Sequence, residues 1–370
     1  MRFNGLCQRL CIGLLLATSG CASVRSEAVD DDSVLGRLGY YAQSVRGHLA
    51  LMNQARPVAD WLADPATPAP LRERLALSQR LRDFAVNELA LPDNASYRRY
   101  ADLGRSAVVW NVVAAPELSL KLKTWCFALM GCVGYRGYFD RAQADALAES
   151  LKQQGLEVRV YGVPAYSTLG WTNWLGGDPL LNTFIHHGEA YLARLVFHEL
   201  AHQVLYAADD TRFNESYATA VERLGLARWQ AATGGAAESV ADAQRRADFR
   251  ALSLRTRAAL KALYDSDLRP EQKRQRKAQV MQAMRDEHAR WKAGAGPWAG
   301  HAGYDAWMQE ANNASLALQA AYDELVPAFL TLFHQQGSDF KRFHAEVARL
   351  AGLPAEQRRA TLDALQPRVP

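Results

Sequence analysis

His198, Glu199 and His202 stand in the order H-E-x-x-H inside the segment Leu195–Gln203. Two histidines four residues apart lie one above the other on a helix, because four residues at 3.6 per turn nearly close a turn. Their imidazoles can then converge on one metal ion. Glu199 falls about 100° further round the helix. From there it can take a proton from a water acidified by the metal without being a ligand itself. This is the chemistry of zinc-dependent hydrolysis. The context supports a helix: Ala190 to Tyr206 holds neither Pro nor Gly. Leu192, Leu195, Val196, Leu200 and Leu205 also recur at helical steps.

A third ligand must come from elsewhere. Metzincins extend the motif to H-E-x-x-H-x-x-G-x-x-H, and the equivalent positions here are Leu205 and Ala208, which excludes that class. Gluzincins draw a glutamate from a following helix. Asp209-Asp210-Thr211 reads as a turn that caps such a helix. On it, Glu215 and Glu222 are seven residues apart and share a face. Glu215 is the expected third ligand, since the Asn214-Glu215 pair resembles the thermolysin-like arrangement, although only twelve residues separate it from His202. Glu222 or Asp210 would then orient a histidine ring N–H. His186 and His187, just before the helix, could also be ligands, but a polar loop face is the expected reading.

Hydrolysis also needs a donor for the developing oxyanion. Tyr135, Arg136, Tyr138 and Tyr217 are the candidates, the tyrosines of the Gly134–Phe139 stretch also suiting packing beside the Cys126–Cys132 loop. An extended peptide could add to a sheet edge, for which Tyr166–Thr172, just upstream of the metal-binding helix, is the expected segment. Glu117, Glu189 or Glu222 could anchor a substrate α-amine. The spacing does not choose among them, nor between exo- and endopeptidase action.

These residues need a scaffold, and the pattern predicts a mostly helical α+β fold. Val34 to Leu91 is periodic at helical steps, with breaks at Pro57 and at Pro65–Pro70. Ala107–Val113 is β-branched and aromatic, and Leu156–Tyr161 alternates; both read as strands. Asp140–Gln154 between them reads as a helix ending near Gly155. Beyond residue 236 the chain is nearly all helix: Ala237–Tyr264, Glu271–Trp291, and Tyr304–Gln335 with a kink at Pro327. The expectation is a gluzincin-like core with a small sheet (106–235), wrapped by N-terminal helices and a helical C-terminal region (236–370). Residues 34–370 form one domain in this reading.

With 370 residues, 49% hydrophobic and 22% charged, the chain is too apolar to be disordered as a whole. A net charge of +4 spread over that length gives no basic field for nucleic acid. Arg2 and Arg9 flank the start of an apolar run, Leu10–Ala17, too short to span a bilayer but long enough for a signal peptide. Thr18-Ser19-Gly20-Cys21 follows and looks like a lipobox, with Thr18 where Leu is usual. Residues 1–20 thus read as a lipoprotein signal, Cys21 as the acylated residue and 22–33 as a tether. Ala22 after the cysteine favours the outer membrane, with the body on the periplasmic side. Loss of Arg2 and Arg9 takes the charge from +4 to +2. Cys126 and Cys132 would remain, and an oxidising compartment makes a disulfide between them the expectation.

Several segments carry a wider resemblance: Trp110–Glu117, Thr124-Trp125-Cys126, Gly131–Phe139, Gly170-Trp171-Thr172, Asp178–Thr183, and the HELAHQ and FNESYA stretches at 198–203 and 213–218. Together they resemble a family of exported bacterial zinc proteins described as predicted aminopeptidases, from about Tyr40 to Phe340. The resemblance implies a zinc metallopeptidase, with His198, Glu199, His202 and Glu215 at the matching positions. Its partners would be a peptide substrate and, through Cys21, the membrane. The alternatives are a non-catalytic zinc lipoprotein acting as a chaperone or assembly factor, and an amidase acting on cell-wall peptides. A glutamate placed as a base favours an enzyme.

Overall fold

A computed structural model describes residues 34–127, 131–165, 176–234 and 239–367. The expected signal, Cys21 and the expected tether lie outside the described residues, as does the expected substrate edge Tyr166–Thr172.

The N-terminal part holds helix α1 (Val34–Gln54), strand β1 (Arg56–Pro57), and helices α2 (Val58–Ala63) and α3 (Ala69–Leu89). The prolines punctuate it as expected, with Pro68 immediately before α3. Next come β2 (Arg99–Ala101), β3 (Val109–Pro116), β4 (Trp125–Phe127), β5 (Gly131–Val133), β6 (Arg136–Tyr138), α4 (Arg141–Gln153) and β7 (Leu156–Val163). Asp140 caps α4 by accepting from the Ala142 N–H. Strand β8 (Leu180–Leu181) and helix α5 (Asn182–Ile185) lead into α6 (Glu189–His202) and α7 (Thr211–Thr233). The remainder is α8 (Val240–Asp265), α9 (Pro270–Ala293), α10 (Asp305–Glu310), α11 (Asn313–Asp323), α12 (Val326–Gln335), α13 (Phe340–Ala351) and α14 (Ala355–Leu365). The fold is α+β and mostly helical, with small sheets.

The kinked helix expected over Tyr304–Gln335 is three helices instead. Asn312 ends the first segment by capping α11, its side chain accepting from the Ser315 N–H. Pro327 causes no kink, because it lies in the first turn of α12, where no N–H is needed.

The sheet that matters most has the order β6-β3-β7, antiparallel throughout. Its side chains alternate between two faces, as the strand period requires. Val112, Ala114, Val158, Val160 and Tyr138 pack against Leu147 and Leu151 of α4. Val113, Ala115, Tyr135 and Tyr161 face Ala314 and Leu318 of α11. Beside this sheet, β4 and β5 form a hairpin in which Cys126 and Cys132 lie directly opposite and are joined by a disulfide.

The largest core cluster draws on α3, α5, α6, α7 and the last three helices. Gly225 explains how α7 comes so close to its neighbours. A Cβ there would stand 2.7 Å from Leu89 of α3 and 2.8 Å from the Phe197 ring of α6.

Candidate metal centre

Helices α6 and α7 pack as a pair, and the short loop between them brings the start of α7 back to the end of α6. The loop is clamped at several points. Asp210 caps α7 by accepting from the Phe213 N–H at 3.0 Å. The Asn214 amide pins Ala207 twice, donating to its carbonyl and accepting from its N–H, both at 2.8 Å. Asp209, at φ +63°, accepts from the Cys132 N–H at 2.6 Å and so ties the loop to the disulfide hairpin. Gly131 leaves the space for that approach: a Cβ would sit 2.5 Å from the Asp209 carboxylate. At the end of α6, Gln203 donates to Ser96 and Asp178 and accepts from Asn94.

The clamped loop brings three donors together. His198 Nε2 lies 3.2 Å from His202 Nε2 and 3.3 Å from Glu215 Oε2. His202 Nε2 is 3.5 Å from the same carboxylate oxygen. All three side chains are buried, and among the described residues they form the group able to hold a metal ion. Two imidazole nitrogens and a carboxylate oxygen facing one point suit a borderline cation with one position left open.

Electrostatics favour a positive charge at that point. Burial works against ionising Glu215, but His202 and His198 outweigh it and bring the carboxyl down to about 2. Burial likewise opposes the His198 imidazolium, yet Glu215 and Glu222 more than compensate and raise its pKa well above the ordinary value. Glu199 is half-buried; burial raises its pKa, and the two histidines only partly offset this. It is therefore a stronger proton acceptor than a solvated glutamate.

Glu222 lies behind His198: its Oε2 is 3.1 Å from His198 Nδ1, and its Oε1 is 3.5 Å from the Arg194 guanidinium. A carboxylate on Nδ1 fixes the tautomer that leaves Nε2 free to bind a metal. Glu222→Gln should weaken metal affinity about 10–100-fold, as measured by competition with a chromophoric chelator. An unchanged affinity would show that Glu222 does not orient the ring.

Other expected site residues lie elsewhere. Asp210 caps α7 and accepts from Arg358 of α14 at 2.9 Å, so it does not orient a histidine. Arg136 and Tyr138 point to the α4 face of the sheet, where the guanidinium stacks 4.2 Å from the Tyr40 ring; strand alternation places Tyr135 on the opposite face. Tyr217 is fully buried and hydrogen-bonded to His344 Nδ1 at 2.8 Å, while His344 Nε2 donates to the Leu89 carbonyl. Glu117 pairs with Arg274, away from the triad. Glu189 accepts from the Trp229 indole, nine residues and about 13 Å along α6 from His198. His187 is an exposed loop residue against Tyr191, as its loop position suggested.

Tyr135 is an oxyanion candidate that feels the charges of Glu215 and Glu199, and it has company. Burial raises the pKa of Tyr135, Tyr161, Tyr206 and Tyr322, and the Glu215 charge raises each further. Tyr161 and Tyr206 are each pushed to about 12. The Tyr322 ring stacks on His198, with centroids 6.1 Å apart. All four phenols therefore stay protonated as hydrogen-bond donors at neutral pH. Tyr161 sits on β7 and Tyr322 on α11, so no spacing rule links them to H-E-x-x-H, while Tyr206 lies in the clamped loop four residues after His202.

No curated protein and no solved structure matches this chain. A protein-family model does, over residues 39–362, which include every residue of the metal centre. The chain therefore belongs to the family described as "Putative aminopeptidase".

Proposed function

We propose that the protein is a zinc-dependent peptide hydrolase with a gluzincin-like centre, held in the cell envelope by a lipid on Cys21. The observation that carries this reading is the convergence of His198, His202 and Glu215, with Glu199 beside them on α6. His198 and His202 would hold zinc through Nε2 and Glu215 through its carboxylate. When bound, zinc supplies Lewis-acid polarisation of the scissile carbonyl and acidifies water. Glu199 takes the proton of the attacking water on its carboxylate and later delivers it to the leaving amine. Tyr135, with Tyr161, Tyr206 and Tyr322 nearby, supplies O–H donors for the charge that develops on the carbonyl oxygen. Glu222 holds the His198 ring, and Arg194 in turn holds Glu222.

The aminopeptidase assignment comes from the family. It requires an anchor for the substrate α-amine, and Glu117 and Glu189 are both engaged elsewhere. Digestion of a peptide library with zinc-loaded protein, with and without a chelator, decides the matter. Chelator-sensitive trimming from free N-termini is expected. Internal cuts that persist on N-acetylated peptides would make it an endopeptidase. No cleavage by protein with zinc bound would contradict hydrolysis altogether.

A further inference from the structure

We propose that the outward face of α1 rests on a lipid bilayer. Leu38, Tyr41, Val45 and Leu49 are 60%, 43%, 59% and 48% exposed, and they recur at three- and four-residue steps. They therefore form one stripe along three turns of the helix. Among the described residues, the other exposed large apolar side chains, Tyr191 and Val240, lie singly on α6 and α8.

The opposite side of α1 is fixed to the protein. Tyr40 packs on Phe127 and Tyr138, and a Cβ at Gly47 would run into the Phe139 ring. Gln43 accepts from the Phe139 N–H, and Leu51 is buried. The helix is thus docked by one face and carries uncovered apolar side chains on the other.

Two features point to a bilayer as the occupant, the first of them resting on the lipid anchor proposed at Cys21. The first is where the preceding chain leads. Cys21 lies thirteen residues before Val34, a stretch that reaches at most about 45 Å when extended. A lipid on Cys21 would keep the N-terminal end of α1 within that distance of the membrane surface. The second is charge. The sequence Val34–Gln54 contains Arg37 and Arg46 and no Asp or Glu, which suits a surface bearing anionic headgroups. An apolar stripe on a helix with basic and no acidic residues suits contact with the interfacial region of a bilayer. The anchor would set the distance of the protein from the membrane, and α1 would set its orientation. The stripe should bind lipid whether or not the metal centre hydrolyses peptides.

The test uses the chain from Ala22 onward, which keeps every described residue and carries no acyl group. It is floated with vesicles of phosphatidylethanolamine and phosphatidylglycerol. The parent chain should float. The combined variant Leu38→Glu, Val45→Glu and Leu49→Glu should bind about tenfold or more weakly, with its circular dichroism and melting unchanged. In a second arm, a polarity-sensitive dye is placed on Val45→Cys or, as a control, on Arg359→Cys at the exposed surface of α14. The first should shift to the blue with vesicles and the second should not. A parent chain that stays in solution, or dyes that respond alike, would overturn the proposal. So would a dimer that the three substitutions dissolve without any flotation of the parent, since the stripe would then be covered by a second copy of the chain.

Discussion

Glu199→Gln should lower kcat/KM for peptide hydrolysis by about 10²–10⁴-fold while zinc remains bound at wild-type stoichiometry. The substitution keeps the shape of the side chain and removes its capacity to hold a proton. Glu199 stands outside the triad of donor atoms, so ligation should survive. Its surroundings suit a base: burial raises its pKa, with His198 and His202 only partly opposing the rise. Steady-state kinetics with metal analysis on the same sample separates chemistry from binding. Hydrolysis within twofold of wild type, with zinc present, would remove Glu199 from the mechanism.

His202→Ala should abolish both metal retention and activity. It takes away one of two imidazoles and leaves His198 and Glu215 with the fourth position still open, too few donors for a tight zinc site. After dialysis the variant should retain less than about a tenth of wild-type zinc. Ligand binding also appears as stability. Zinc at a hundredfold excess over its Kd stabilises a protein by about 2.7 kcal/mol, so adding zinc should raise the melting temperature of the wild type and leave that of the variant unchanged. A variant that keeps full zinc and full activity would place the metal elsewhere.

The contrast between Glu215 and the oxyanion candidates shows what the sequence can reveal. His198, Glu199, His202 and Glu215 lie on two consecutive helices joined by a short loop, so helical geometry and one tight turn suffice to bring the donor atoms of the triad together. Glu222 follows from the same rule, seven residues beyond Glu215. Asp210 was expected near a histidine on the same ground, but a residue at a helix start has a competing task, and capping takes it. Tyr135, Arg136 and Tyr138 could not be separated from the sequence until strand β6 was known, since alternation sends Arg136 and Tyr138 to the α4 face. Tyr161 and Tyr322 were missed because tertiary packing alone places them where they feel Glu215, Tyr322 arriving 120 residues after His202, whereas Tyr206, four residues after His202, could have been found from the motif. The helices over Tyr304–Gln335 were merged for a local reason: Asn312 as a cap and Pro327 in a first turn look like interruptions of one helix until the backbone is seen.

The centre is most directly tested by X-ray absorption at the zinc edge on the purified, zinc-loaded chain. The ligand set His198, His202 and Glu215 predicts a first shell of nitrogen and oxygen at about 2.0–2.1 Å, with the outer-shell scattering of two imidazoles. A sulfur shell at about 2.3 Å, a shell without imidazole, or folded protein that takes up no zinc would contradict it.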